Sequence, residues 1–183
     1  MHKIHKLFVY SYMVLFSFNA FSEPKELLRK SDGYFFHQSF NDLKEELNTA
    51  REKGKKGIFI MFSDKDCPWC TKMKETVLSQ IPIQDYFREN FQVLIIDIHG
   101  DNTMTSFKGR EIIEKDFSFK NHRVRATPVF MFFDLTGSPI MRYTGSTRNG
   151  REFKWLGEFV VNGIYKEMNF TKYKRERVVR LKK

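Results

Sequence analysis

The stretch Ile58-Phe59-Ile60-Met61-Phe62-Ser63-Asp64-Lys65-Asp66-Cys67-Pro68-Trp69-Cys70-Thr71-Lys72-Met73 decides the fold. Ile58 to Phe62 is a short, apolar, β-prone run, the pattern of a strand buried on both faces. Ser63 to Asp66 ends that run, and a helix is predicted from Cys67 through Met73 and Val77 to about Gln80. Pro68 fits a first helical turn, where its missing N–H is no loss. Cys67 and Cys70 are the chain's two cysteines, and this junction places them at the start of the helix.

On the N-terminal side, Phe40, Leu43, Leu47 and Ala50 recur every three or four residues. They predict a helix, with Ser39 or Asn41 as N-cap and Lys53 to Gly57 as its stop. On the C-terminal side, Ile83 to Phe91 reads as a further helix and Phe91 to Asp97 as a second buried strand. His99 to Lys108 reads as a loop, Arg110 to Phe117 as a short helix and Ser118 to Arg123 as a connection. Val129 to Phe133 is a third strand, and Asp134 to Ser138 has turn chemistry. Ile140 to Tyr143 is a fourth strand. Phe153, Leu156, Phe159, Val160 and Ile164 mark a closing amphipathic helix. Strand, helix, strand, helix, hairpin and helix predict an α/β sandwich whose mixed central sheet is covered on both faces.

A C-x-x-C pair at a helix start has three readings. As a reversible dithiol, Cys67 is the attacking thiolate, stabilised by free backbone N–H groups and the helix dipole. Cys70, one turn on, resolves the mixed disulfide, while Pro68 and Trp69 restrict the loop and help set its potential. Trp69 also offers a flat apolar surface on which a substrate chain can rest. As a structural staple the pair is poor, because so short a loop constrains the unfolded chain very little. As a zinc or copper site it needs more ligands. His37, His99 and His122 form no second ligand pair at a recognised spacing, and Met61 or Met73 would be soft ligands for Cu(I).

Val124-Arg125-Ala126-Thr127-Pro128 directly precedes the third strand, where proline is compatible with sheet geometry. Together with the upstream C-x-x-C, this loop resembles the thioredoxin superfamily over about Phe40 to Ile164. The resemblance implies a thioredoxin-like three-layer α/β sandwich, with Pro128 as a cis-proline and Thr127 presenting backbone groups to substrate in β fashion. Three segments look like the exported SoxW-type thioredoxins, which are linked to periplasmic thiol reduction: Asp66 to Met73, Ile96 to Asp101 and Ala126 to Asp134. That family carries an extension where residues 99–123 stand here, either a partner-selecting segment or a tolerated surface insertion. One position departs from cytosolic thioredoxins. They place a buried acid six residues before the first cysteine, and here Met61 occupies that position, leaving Asp64, Asp66, Glu75 or water to take the proton of the second thiol.

A chain of 183 residues with 41% apolar content has material for one core. Residues 1–22 have the layout of a secretory signal peptide: basic Lys3 and Lys6, an apolar run from Leu7 to Phe18, then small Ala20 and Ser22. That run is shorter than the roughly 20 residues a spanning helix needs. Export to the periplasm follows as an expectation, which removes nucleic acid as a partner for a chain of net charge +10. Residues 23–38 read as an N-terminal extension, 39–168 as the domain and 169–183 as a basic tail. The tail is solvated, or else docks on anionic lipid or an acidic protein. The expected partners are a protein disulfide substrate and, for a reductant in an oxidising compartment, a membrane electron donor. No cofactor or resident metal is expected.

Overall fold

The computed structural model describes residues 28–181, so the leader reading of residues 1–22 lies outside the described residues. The elements follow in chain order: α1 (Ser31–Tyr34), α2 (Leu43–Glu52), β1 (Gly57–Ser63), α3 (Pro68–Thr76), α4 (Ile81–Asn90), β2 (Phe91–Asp97), β3 (Thr103–Thr105) and β4 (Glu111–Ile113). After these come α5 (Glu114–Asp116), a π-turn over Phe117–Asn121, β5 (Val129–Phe133), β6 (Pro139–Thr144), α6 (Gly150–Val161), a 3-10 turn over Ile164–Lys166 and α7 (Phe170–Arg180).

The main sheet has the order β2-β1-β5-β6. β1 and β2 run parallel, with Phe59 beside Val93, while β5 runs antiparallel to both β1 and β6. Strand periodicity sorts the apolar side chains of this sheet into two cores. Phe59, Met61, Val93, Phe130 and Phe132 face α3, α4 and α6; Ile58, Ile60, Phe62, Leu94, Met131 and Phe133 face α2 and the 99–123 segment. Those layers make the α/β sandwich. The first core absorbs much of the phenylalanine content. The Phe59 ring lies 5.1 to 6.0 Å from those of Phe35, Phe87, Phe130, Phe132 and Phe153, and aromatic pairs of this kind add about 0.5–1.5 kcal/mol each beyond burial.

Several expectations need correction. α2 begins three residues later than its apolar spacing suggests, at Leu43 rather than Phe40: Asp42 is the N-cap, its carboxylate accepting from the N–H groups of Lys44 and Glu45 at 3.0 Å. Phe40, ahead of that cap, is therefore off the helix and 99% exposed. Of residues 110–117, only the part from Glu114 onward is helical, as α5 running into the π-turn. Glu111–Ile113 pairs antiparallel with Thr103–Thr105 in a small hairpin, which also replaces part of the loop read over His99 to Lys108. The basic C-terminus is not a solvated tail over its described length. α7 lays Tyr173 against Phe159, and Lys174 and Arg177 pair with Glu152 and Glu158 of α6. The core reaches beyond residues 39–168 on both sides, taking in Phe35, Phe36 and Tyr173.

Candidate active site

Strand direction gathers the site at one end of the sheet. β1 ends at Ser63 beside Asp97, the last residue of parallel β2. Antiparallel β5 starts there too, with Val129 beside Phe62, so Thr127 and Pro128 arrive at the end from which the chain turns toward Cys67. The Thr127–Pro128 peptide is cis. The Gly145 N–H donates to the Pro128 carbonyl at 2.8 Å, tying the proline loop to the end of β6.

The turn into α3 is built by Asp64. Its side chain accepts from the Asp66 N–H at 3.0 Å and its carbonyl from the Cys67 N–H at 3.2 Å. Cys67 is then the N-cap of α3, with Pro68 in the first turn. Its sulfur takes the role a serine oxygen usually plays at this position, accepting from the Cys70 backbone N–H at 3.0 Å. Cys67 and Cys70 are joined in a disulfide, with Cα atoms 5.3 Å apart. Cys67 is 7% exposed and Cys70 1%, so both lie in the core cluster and Cys67 is the less buried of the two. Trp69 is 56% exposed beside them, with the Lys72 ammonium 5.3 Å from its ring centre.

Met61 and Met73 are buried in the cluster that holds both cysteines, and the Met73 sulfur accepts from the Thr147 hydroxyl at 3.8 Å. Of the proton acceptors expected from sequence, Asp66 and Glu75 are exposed, while Asp64 is half-buried and lines a cleft with Cys70. The histidines are dispersed. His37 contacts the backbone of Val93, His99 lies 3.6 Å from Asp64, and His122 packs among Phe62, Phe117 and Phe133. Among the described residues, no three His, Cys, Asp or Glu side chains are grouped so as to hold a metal ion. Glu114, which no sequence signal marked, lines the same cleft as Cys70.

A strand-turn-helix that presents a disulfide-forming C-x-x-C beside a proline loop defines a thiol-disulfide protein of the thioredoxin class. The family model for the thioredoxin-like domain matches residues 43–160, more than half of the chain, and the chain belongs to that family. No curated protein sequence matches it. Among solved structures, a thioredoxin-fold protein from Helicobacter pylori superposes with a TM-score of 0.55 at 20% identity, over 65% of this chain and 77% of that one. A DsbH oxidoreductase gives 0.53 at 17% identity, over 69% and 85%. A thioredoxin from Thermus thermophilus gives 0.51 at 25% identity, over 67% and 86%. The fold and the disulfide-forming pair together support a thiol-disulfide redox role.

Proposed function

We propose that this chain is a periplasmic protein-disulfide oxidoreductase that works as a reductant. The observation that carries the reading is the Cys70 N–H aimed at the more exposed Cys67 sulfur. A thiolate at that position is stabilised by a hydrogen bond and by the positive end of α3, so Cys67 attacks a substrate disulfide and forms a mixed disulfide. Cys70 then attacks the Cys67 sulfur, closing the Cys67–Cys70 bond and releasing the substrate thiolate. Two electrons pass to the substrate, and a donor must return them. The leader reading of residues 1–22 supports export, which points to a donor at the membrane. The SoxW-type resemblance supports reduction as the direction. Thr127, Pro128 and Trp69 are the substrate-facing surface, and the exposed Lys172 and Arg175 of α7 face outward, where an anionic membrane would meet them.

The test is the equilibrium of Cys67/Cys70 against a glutathione buffer. A potential near that of reducing thioredoxins, about −270 mV, supports the reading; one near that of a disulfide-introducing enzyme, about −120 mV, overturns it. A second reading, a Cu(I) carrier, draws on Met61 and Met73 packed with the cysteines. Copper titration against a competing chelator separates the two: tight binding without disulfide reduction favours the carrier.

A further inference from the structure

Glu114 is 4% exposed, and its carboxyl is held from two sides. Asn41 Nδ2 donates to one oxygen at 2.9 Å and Asn102 Nδ2 to the other at 3.0 Å. Gly100 keeps the space beside it open, since a Cβ there would collide with the carboxylate. Both asparagines stand outside β1, so this arrangement is built by the 99–123 segment and the loop before α2.

A cleft of about 340 Å³ runs along the edge strand β2 and joins this carboxyl to Cys70, its lining including Glu114, Asn102, Asp97, Ser63 and Cys70. The other charged groups facing it are Asp64 and Lys65 from the turn before α3 and Lys74 from α3, which also pairs with Asp32 at 3.0 Å. Burial pushes the Glu114 carboxyl above the ordinary carboxylate range, and the Asp97 charge adds to this, against the Asn102 and Asn41 hydrogen bonds.

Cys70 must lose a proton before it can attack, yet its core neighbours Met61 and Met73 accept none. A carboxylate with raised proton affinity is better matched to a thiol than an ordinary surface acid. We propose that Glu114 is the proton acceptor for Cys70, acting through solvent in this cleft. The proton leaves the Cys70 thiol for the Glu114 carboxylate. The Cys70 thiolate attacks the Cys67 sulfur, and the bond between Cys67 and the substrate breaks. The departing substrate thiolate takes a proton from the bulk, and Glu114 later releases its own. The 99–123 segment thereby supplies the acid that position 61 lacks. This inference rests on the reading of Cys67/Cys70 as an exchanging dithiol.

The experiment titrates Cys70 by its ultraviolet thiolate absorbance in the Cys67→Ala variant, where it is the sole thiol, so the readout does not depend on turnover. A neighbouring carboxylate holds the thiol above its ordinary value of about 8.5, and adding Glu114→Gln is expected to make ionisation about tenfold easier, one pKa unit. An unchanged titration overturns the proposal, as does a shift produced by Asp97→Asn and not by Glu114→Gln. If Glu114→Gln fails to fold, the Glu114 carboxyl of the unaltered protein is titrated by carbon NMR in the disulfide and dithiol forms. Coupling is reciprocal, so in the dithiol form the Glu114 signal must shift a second time as Cys70 ionises, a step the disulfide form lacks; a dithiol curve without that step overturns the proposal. In an exchanging protein, Glu114→Gln also slows release of substrate from the Cys67 mixed disulfide about 100-fold at neutral pH. If the unaltered protein forms no mixed disulfide, the proposed function fails while the titration still decides the role of Glu114.

Discussion

The backbone N–H of Cys70 lies 3.0 Å from the sulfur of Cys67, so the second cysteine's main chain serves the first cysteine's charge. On reduction, Cys67 is expected to ionise below the ordinary thiol value of about 8.5 and to react with iodoacetamide at least tenfold faster than Cys70. Peptide mapping after brief alkylation across pH checks both. Equal labelling of the two cysteines contradicts the assignment of Cys67 as attacker.

Trp69 stands beside that sulfur with more than half its surface in solvent, so its loss creates no cavity. Trp69→Ala is expected to change folding stability by less than about 0.5 kcal/mol. It should raise the KM for a disulfide-bonded protein several-fold while leaving the rate with a small disulfide unchanged.

Phe40 and Leu47 belong to one apolar spacing and have opposite fates. Leu47→Ala is expected to cost about 2–5 kcal/mol, the range for a buried leucine, and Phe40→Ser less than about 0.5 kcal/mol. Urea denaturation of the two variants measures the difference.

Those two residues show where sequence reading works and where it stops. β1, β2 and β5 are legible because a strand buried on both faces must be a continuous apolar run, and little else in the chain has that form. The helix start at Cys67 is legible for a similar reason, since proline is confined to few helical positions. Phe40 misleads because apolar spacing carries no information about which polar side chain takes the first free N–H groups. Asp42 takes them, and the helix begins beyond Phe40. The hairpin of Thr103–Thr105 and Glu111–Ile113 is too short for strand periodicity to register, and Ile112, Ile113 and Phe117 mimic a helical face. Glu114 is invisible in sequence because its burial depends on Asn41, 73 residues away.

Tyr173 anchors α7 to α6, and Lys174 meets the buried Glu152, which also accepts from the Tyr143 hydroxyl. Tyr173→Ala is expected to destabilise the domain by about 3 kcal/mol. Lys174→Ala should cost about 1–3 kcal/mol, because it deprives a buried carboxylate of its partner. A freely solvated C-terminus would make both substitutions neutral in thermal melts.

Burial pushes His37 and His122 down to about 4 from their ordinary 6.5, with Arg88 and Arg142 adding to the effect. Both are neutral in either state above pH 6.5, where their contribution to stability is fully present. As pH falls toward 4, the unfolded chain takes up protons that the folded chain refuses, and that stability is lost. The raised Glu114 carboxyl acts in the opposite sense, favouring the fold as pH falls. Urea midpoints between pH 6.5 and 5 should therefore decline in the unaltered protein, and His122→Phe should remove about half of the histidine-linked part.

The most direct measurement is mass spectrometry of the Cys70→Ala and Cys67→Ala variants after reaction with a disulfide-bonded protein. Cys70→Ala is expected to accumulate a stable mixed disulfide on Cys67, because the resolving sulfur is absent, while Cys67→Ala accumulates none. A persistent adduct on Cys70 in the Cys67→Ala variant, or no adduct on Cys67 in the Cys70→Ala variant, would contradict the assignment of Cys67 as attacking thiolate and Cys70 as resolving thiol.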